Sequence, residues 1–207
     1  MEVETKRFLI KFAREVIESF VKSGNILEIP KNYPAKLNVK KGVFVTLFKR
    51  EKGSKGIKGS KEEKLRGCIG LPYPQQSIIK NLREAAASVT QDPRFGELRE
   101  EELKDVVIEV SVLSELKKIE VKKPEEYLKR IEPHKDGLII KKDLRSGLFL
   151  PQVWEQLPNK KVFLANLCLK AGMMANEWMS ERAILYRFQI EKIREDELHT
   201  ELHSVKS

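Results

Sequence analysis

The chain has 207 residues, 41% hydrophobic and 34% charged, with 40 Lys and Arg against 31 Asp and Glu and a formal net charge of +9. That is enough for one compact core, or a core with a smaller lobe; a membrane helix is excluded, since no apolar run approaches the ~18 residues a span needs. The basic balance favours acidic partners, nucleic acid among them, and a surface rich in both Lys and Glu is common in proteins from hot environments.

Residues 4–22 set Phe8, Phe12, Val16 and Phe20 at helical spacing among charges. This predicts an amphipathic helix rather than a secretory leader, closed by Gly24. Pro30 and Pro34 precede a strand over 42–48, with Val43, Val45 and Leu47 on one face and Phe44, Thr46 and Phe48 on the other. Residues 49–64 hold seven Lys and Arg, three Glu and three Gly without apolar period, as an exposed hairpin loop would. A strand returns over 65–71, antiparallel to the first, and Pro72 and Pro74 stop it. A helix follows over 75–90, burying Ile78, Ile79, Leu82, Ala85, Ala86 and Val89. Residues 92–96 form a turn and 100–103 a helical turn. In the strand over 106–113, Ile108, Val110 and Val112 alternate with Glu109 and Ser111, which fall on the more polar face. A charged stretch holds a short helix near 125–130. Strands over 137–141 and 147–150 flank a turn at 143–146. A helix covers 160–171, a last strand 183–190, and 191–207 read as a polar tail. Strands joined by loops, with helices interspersed, argue for an α+β fold with a largely antiparallel sheet and flanking helices. Cys68 and Cys168 without a leader point to a cytoplasmic setting with free thiols.

The stretch Leu65-Arg66-Gly67-Cys68-Ile69-Gly70 concentrates the chemistry. Alternation sets Arg66 and Cys68 on one face, where a guanidinium favours the thiolate. Gly67 and Gly70 leave room for a ligand or for another backbone. Cys68 is therefore either a nucleophile or a small side chain where elements pack closely. A nucleophile needs a base. Glu109 is the candidate, its alternative being a surface cross-strand ion pair; His134 lies in a charged loop. Arg94 can pair with an acid such as Glu109, hold an anionic ligand, or fix the turn at 92–96. Gln152, at the end of a strand, can line the same cleft. Cys168 shares a helix face with Leu164, Leu167 and Ala171 and reads as core. His199 and His203 stand four apart, but Glu201 is misplaced for a zinc motif and no third ligand is near. The basic loop lacks interleaved aromatics for base stacking, and there is no phosphate loop or dinucleotide fingerprint.

The hexapeptide, with Asp92-Pro-Arg-Phe95, Glu109-Val-Ser-Val-Leu113, Asp136-Gly-Leu138, Gly147-Leu-Phe-Leu-Pro-Gln-Val153 and Cys168-Leu-Lys-Ala-Gly172 in that order, resembles the AMMECR1 family over nearly the whole chain, as one domain spanning 3–190. The resemblance implies a two-lobed α+β fold with both termini in the larger lobe, and a place beside Memo-like and radical SAM proteins in a modification pathway. It implies no particular chemistry and no cofactor. Three functions are therefore carried forward. The first is a binding or adaptor module, with a small-molecule or protein-binding cleft around the hexapeptide strand. The second is a thiol-dependent enzyme acting on a small anionic substrate, with Cys68 and Glu109 catalytic and Arg66, Gly67, Gly70, Arg94 and Gln152 binding. The third is a nucleic-acid binder using the basic loop.

Overall fold

The structure is a computed structural model that describes residues 1–50 and 63–198. Most of the basic loop at 49–64, and both His199 and His203, lie outside the described residues. The chain divides into two compact units, one of residues 1–113 with 191 onward and one of residues 114–190. Each carries its own sheet, and the fold is α+β.

In the first unit, helix α1 (Val3–Ser23) ends at Gly24 in the left-handed conformation. Strands β1 (Val43–Arg50) and β2 (Glu63–Leu71) pair antiparallel, and helix α2 (Ile78–Ser88) follows. This helix starts three residues later than the sequence predicts, because Tyr73–Gln76 is spent on a turn in which Gln75 N–H donates to Tyr73 O. Its end tightens into a 3-10 turn, Val89–Gln91. A further 3-10 turn, Glu100–Asp105, leads into β3 (Val106–Leu113), which pairs antiparallel with β1 on the side away from β2. Val43, Val45 and Leu47 stand opposite Leu71, Ile69 and Gly67 on one side and Val112, Val110 and Ile108 on the other. That apolar face packs against Leu9, Phe12 and Val16 of α1 and Ile79 and Leu82 of α2, nearly all at 0–1% exposure. Each such side chain contributes roughly 1.5–3 kcal/mol on full burial.

The second unit opens with a two-residue strand, β4 (Lys117–Lys118), too short to show any periodicity. A 3-10 turn (Pro124–Glu126) runs into α3 (Tyr127–Arg130), and β5 (Gly137–Lys142) and β6 (Arg145–Phe149) form a hairpin. Helix α4 (Lys160–Lys170) precedes β7 (Ile184–Phe188), and the antiparallel sheet runs β4-β7-β5-β6. Its core is Leu138, Ile140, Leu185 and the α4 residues Phe163, Leu164, Leu167 and Cys168. Trp154 is wholly buried, stacked on Phe163 at 3.6 Å, and donates its indole N–H to Asp136 O at 2.7 Å.

The last strand departs most from the sequence reading. Residues 183–190 are not one strand: β7 ends at Phe188, and β8 (Ile190–Arg194) joins the other sheet beside β3, giving the order β2-β1-β3-β8. The supposed polar tail therefore begins as sheet. Ile193 is 2% exposed, and Glu195 is held by the Arg14 guanidinium and by the Ile108 N–H. Polar composition misled here because an edge strand anchored by ion pairs needs only one inward apolar residue.

Candidate functional site

The hexapeptide lies on β2, an edge strand among the described residues. An edge leaves backbone groups without a neighbour strand, and the sequence supplies one substitute. Asp92, 1% exposed, accepts the Cys68 N–H at 2.8 Å, while the Arg94 guanidinium donates to Cys68 O at 3.0 Å. The same carboxylate accepts from the Arg94 N–H, Nε and Nη2. Arg94 thus pairs with Asp92 and not with Glu109. Its hydrogen bonds hold the Asp92 carboxyl down at about 2.

Arg66 does not stand beside the thiol as alternation predicts. The β1–β2 register shifts between Leu47 and Phe48, so Leu47 faces Gly67 while Phe48 faces Leu65. Arg66 falls in the resulting bulge, and a bulge re-aims its side chain. The guanidinium goes to Glu102, through Nε at 3.2 Å and Nη2 at 3.0 Å, and to the carbonyls of Gly96 and Glu97. Glu102, 6% exposed, also takes the Lys49 ammonium and the Arg99 N–H, and Arg66 first among these holds its carboxyl at about 2.

Cys68, Thr46 and Glu109 form one cross-strand row on the face of the sheet opposite the α1–α2 core. Thr46 Oγ1 lies 3.3 Å from Cys68 Sγ and donates to it. Burial nevertheless pushes the Cys68 thiol up; the Thr46 hydrogen bond and the Arg94 charge oppose this, and the Asp92 and Glu109 charges reinforce it. The expected depression of this thiol by Arg66 is absent from the geometry. Cys168 is fully buried in the core of its unit, its thiol also pushed up by burial, and both cysteines are free.

The next row is Gly70, Phe44 and Ser111. A Cβ on Gly70 would sit 2.2 Å from the Phe44 ring, so this glycine accommodates a side chain of the protein itself. Gly67 faces the core side, where a Cβ would meet Val89 O at 3.0 Å. Its smallness serves packing.

Glu109 and Ser111 are not surface residues: they are 4% and 1% exposed. Burial pushes the Glu109 carboxyl up against the pull of Lys192 and Arg194. Arg194 Nη1 stands 3.9 Å away, while the same guanidinium is bound to Glu63 at 2.8 Å and Asp196 at 3.2 Å and lies over the Phe48 ring. Among the described residues Glu109 accepts no hydrogen bond, and Ser111 Oγ is buried without a partner.

Gln152 belongs to the second unit, in the 3-10 turn Pro151–Glu155, and its Oε1 is buried without a partner. His134 sits in a turn of that unit with a left-handed φ of 64°. The second unit also has a cavity of about 470 Å³ between residues 118–127 and 180–184, with Ile119, Tyr127 and Ala183 among its lining and Lys122, Lys123 and Glu181 around them. Nothing in the sequence marked it, because its walls meet through long-range contacts, the β4–β7 pairing and the Tyr127 hydroxyl donating to Ala183 O. No helix among the described residues is long and apolar enough to cross a membrane.

The AMMECR1 family model matches residues 10–193. Protein MJ0810 of Methanocaldococcus jannaschii is 37% identical over 203 residues, covering 95% of this chain and 93% of its own. A protein of Thermococcus onnurineus is 39% identical over 199 residues, covering 93% and 91%. The crystal structure of the uncharacterized protein PH0010 from Pyrococcus horikoshii has a TM-score of 0.82 at 38% identity, covering 93% of this chain and 92% of that one.

Proposed function

The chain belongs to the AMMECR1 family, and we propose that it is a binding module and that its ligand rests on the face carrying Cys68, Thr46 and Glu109. One observation carries this reading. The cation expected to activate Cys68, Arg66, is committed to Glu102, and burial raises the thiol more than the Thr46 hydrogen bond and the Arg94 charge lower it. A nucleophilic cysteine needs the opposite environment, one that stabilises the thiolate at neutral pH. Cys68 then contributes a small, soft wall to the seat. A Memo-like or radical SAM protein as partner, and a cytoplasmic location, fit the same reading.

The test is the pH dependence of alkylation at Cys68, with the buried Cys168 as internal reference. The binding reading expects slow modification that rises only above the free-thiol value of about 8.5, and a Cys68→Ser protein that keeps its fold and ligand. Rapid modification with a midpoint well below that value would return the thiol-dependent enzyme to first place.

A further inference from the structure

We infer that Glu109, Ser111 and Thr46 form the seat for the primary ammonium group of a small ligand. This rests on the reading that the Cys68 face is the ligand surface, and it specifies what that surface recognises.

The first ground is unmet hydrogen bonding. Buried polar groups in folded proteins almost always have partners, and an exception calls for an explanation, such as a bound molecule. Here one such exception, Ser111 Oγ, stands two residues from Glu109, whose one ion-pair partner among the described residues is the Arg194 guanidinium at 3.9 Å, on one face of one strand. Glu109 is 4% exposed with no hydrogen-bond donor among the described residues, and Ser111 is 1% exposed with an unpartnered Oγ. Both belong to β3, and alternation directs both side chains to the Cys68 face.

The second ground is charge. The carboxylates around this position are Glu63, Glu109, Asp196 and Glu197, and the cations are Arg50, Lys192 and Arg194. Arg50 and Arg194 are each bound to both Glu63 and Asp196. Among these described groups Glu109 is the buried acid that accepts no hydrogen bond. A cationic ligand would give Glu109 the hydrogen bonds it lacks among the described residues, whereas an anionic ligand would meet its carboxylate.

The third ground is the number and kind of acceptors. An ammonium group carries three N–H donors and no acceptor. Thr46 spends its hydroxyl proton on Cys68 Sγ, which leaves its oxygen free to accept. Thr46 stands directly opposite Glu109, and Ser111 is the next residue on that face of β3. Three acceptor side chains therefore occupy neighbouring positions on one sheet face, matching three N–H groups in number. Phe44, opposite Ser111, has its ring over Gly70 on the β2 side.

The test is an NMR titration of the full chain with n-butylammonium chloride, with sodium butyrate at matched ionic strength as the control. The expected result is saturable shifts centred on residues 44–46, 68–70 and 109–111 with the amine and none with butyrate. Glu109→Gln, of nearly the same shape, should weaken binding about tenfold or more, as loss of a charged hydrogen bond does. Ser111→Ala should weaken it several-fold while leaving the protein at least as resistant to urea, because an unmet buried hydroxyl is removed. Shifts on this face with butyrate and not with the amine would overturn the ammonium assignment while leaving the surface a ligand seat. Amine binding unchanged in Glu109→Gln would overturn it as well. Silence from both probes would also overturn it, and the alkylation of Cys68 would then decide the binding reading separately.

Discussion

Replacing Asp92 with Asn removes one negative charge and little else, and the structure sets its cost. The carboxylate is 1% exposed and accepts four hydrogen bonds, one from Cys68 and three from Arg94. Its pKa falls from 3.8 to about 2, with the Arg94 hydrogen bond the largest cause. At about 1.4 kcal/mol per pH unit this corresponds to roughly 2.5 kcal/mol of stability. The Arg94 side chain is 56% exposed, so water screens part of that, and about 2 kcal/mol is the better expectation. Because the folded pKa is depressed, the stabilisation is fully present above 3.8 and is lost as pH falls through about 2. Urea unfolding of the wild type and Asp92→Asn should therefore differ by about 2 kcal/mol at neutral pH, and the gap should close through that acid window. Asn still offers an oxygen to the Cys68 N–H, so Asp92→Ala should be worse by about 1–3 kcal/mol more, the cost of a backbone donor left unmet. A variant as stable as the wild type at neutral pH, or a gap that stays constant into acid, would refute the edge-clamp argument.

Glu102→Gln should cost about 2–3 kcal/mol at neutral pH, since a carboxyl lowered from 4.5 to about 2 loses its charge beside Arg66 and Lys49; the deficit should fade on acidification, read by the same urea titration. Gly70→Ala should destabilise by about 1–3 kcal/mol, because its Cβ would enter the Phe44 ring; adding Phe44→Leu should recover part of the loss in calorimetry. Trp154→Phe should cost about 1–3 kcal/mol in the second unit, by stranding the Asp136 carbonyl and thinning the stack on Phe163, and hydrogen exchange confined to residues 114–190 should report it.

Strand and helix periodicity told most of the fold before any coordinates. Alternating Val43, Val45 and Leu47 on β1, and Ile108, Val110 and Val112 on β3, predicted the apolar face that the helices cover. The spacing of Phe8, Phe12 and Val16 predicted the helix that covers it. These patterns are local: side-chain direction repeats every 2 or about 3.6 residues, so the chain itself carries the information. The residues of the candidate site were legible as well, because a cysteine between glycines next to a run of charges stands out. Their relations were not. Alternation placed Arg66 with Cys68, but one shifted residue pair between β1 and β2 turned it toward Glu102. Glu109 and Ser111 read as a polar face, yet all eight residues of β3 are buried.

What the sequence by itself determined is which residues face the same way along each element, since that follows from backbone geometry over a few residues. What only the tertiary structure decided is which elements meet and which charges pair. Asp92 reaches back 24 positions to the Cys68 N–H, and Arg14 holds Glu195 across 181. At Gln189 the chain passes from one sheet to the other, from the mostly apolar Ile184–Phe188 to the largely polar Ile190–Arg194. Such choices depend on long-range partners competing for the same hydrogen bonds and charges. No local period encodes that competition, and it is what engages both candidate arginines with acids of their own and leaves Glu109 and Ser111 buried without hydrogen-bond partners among the described residues.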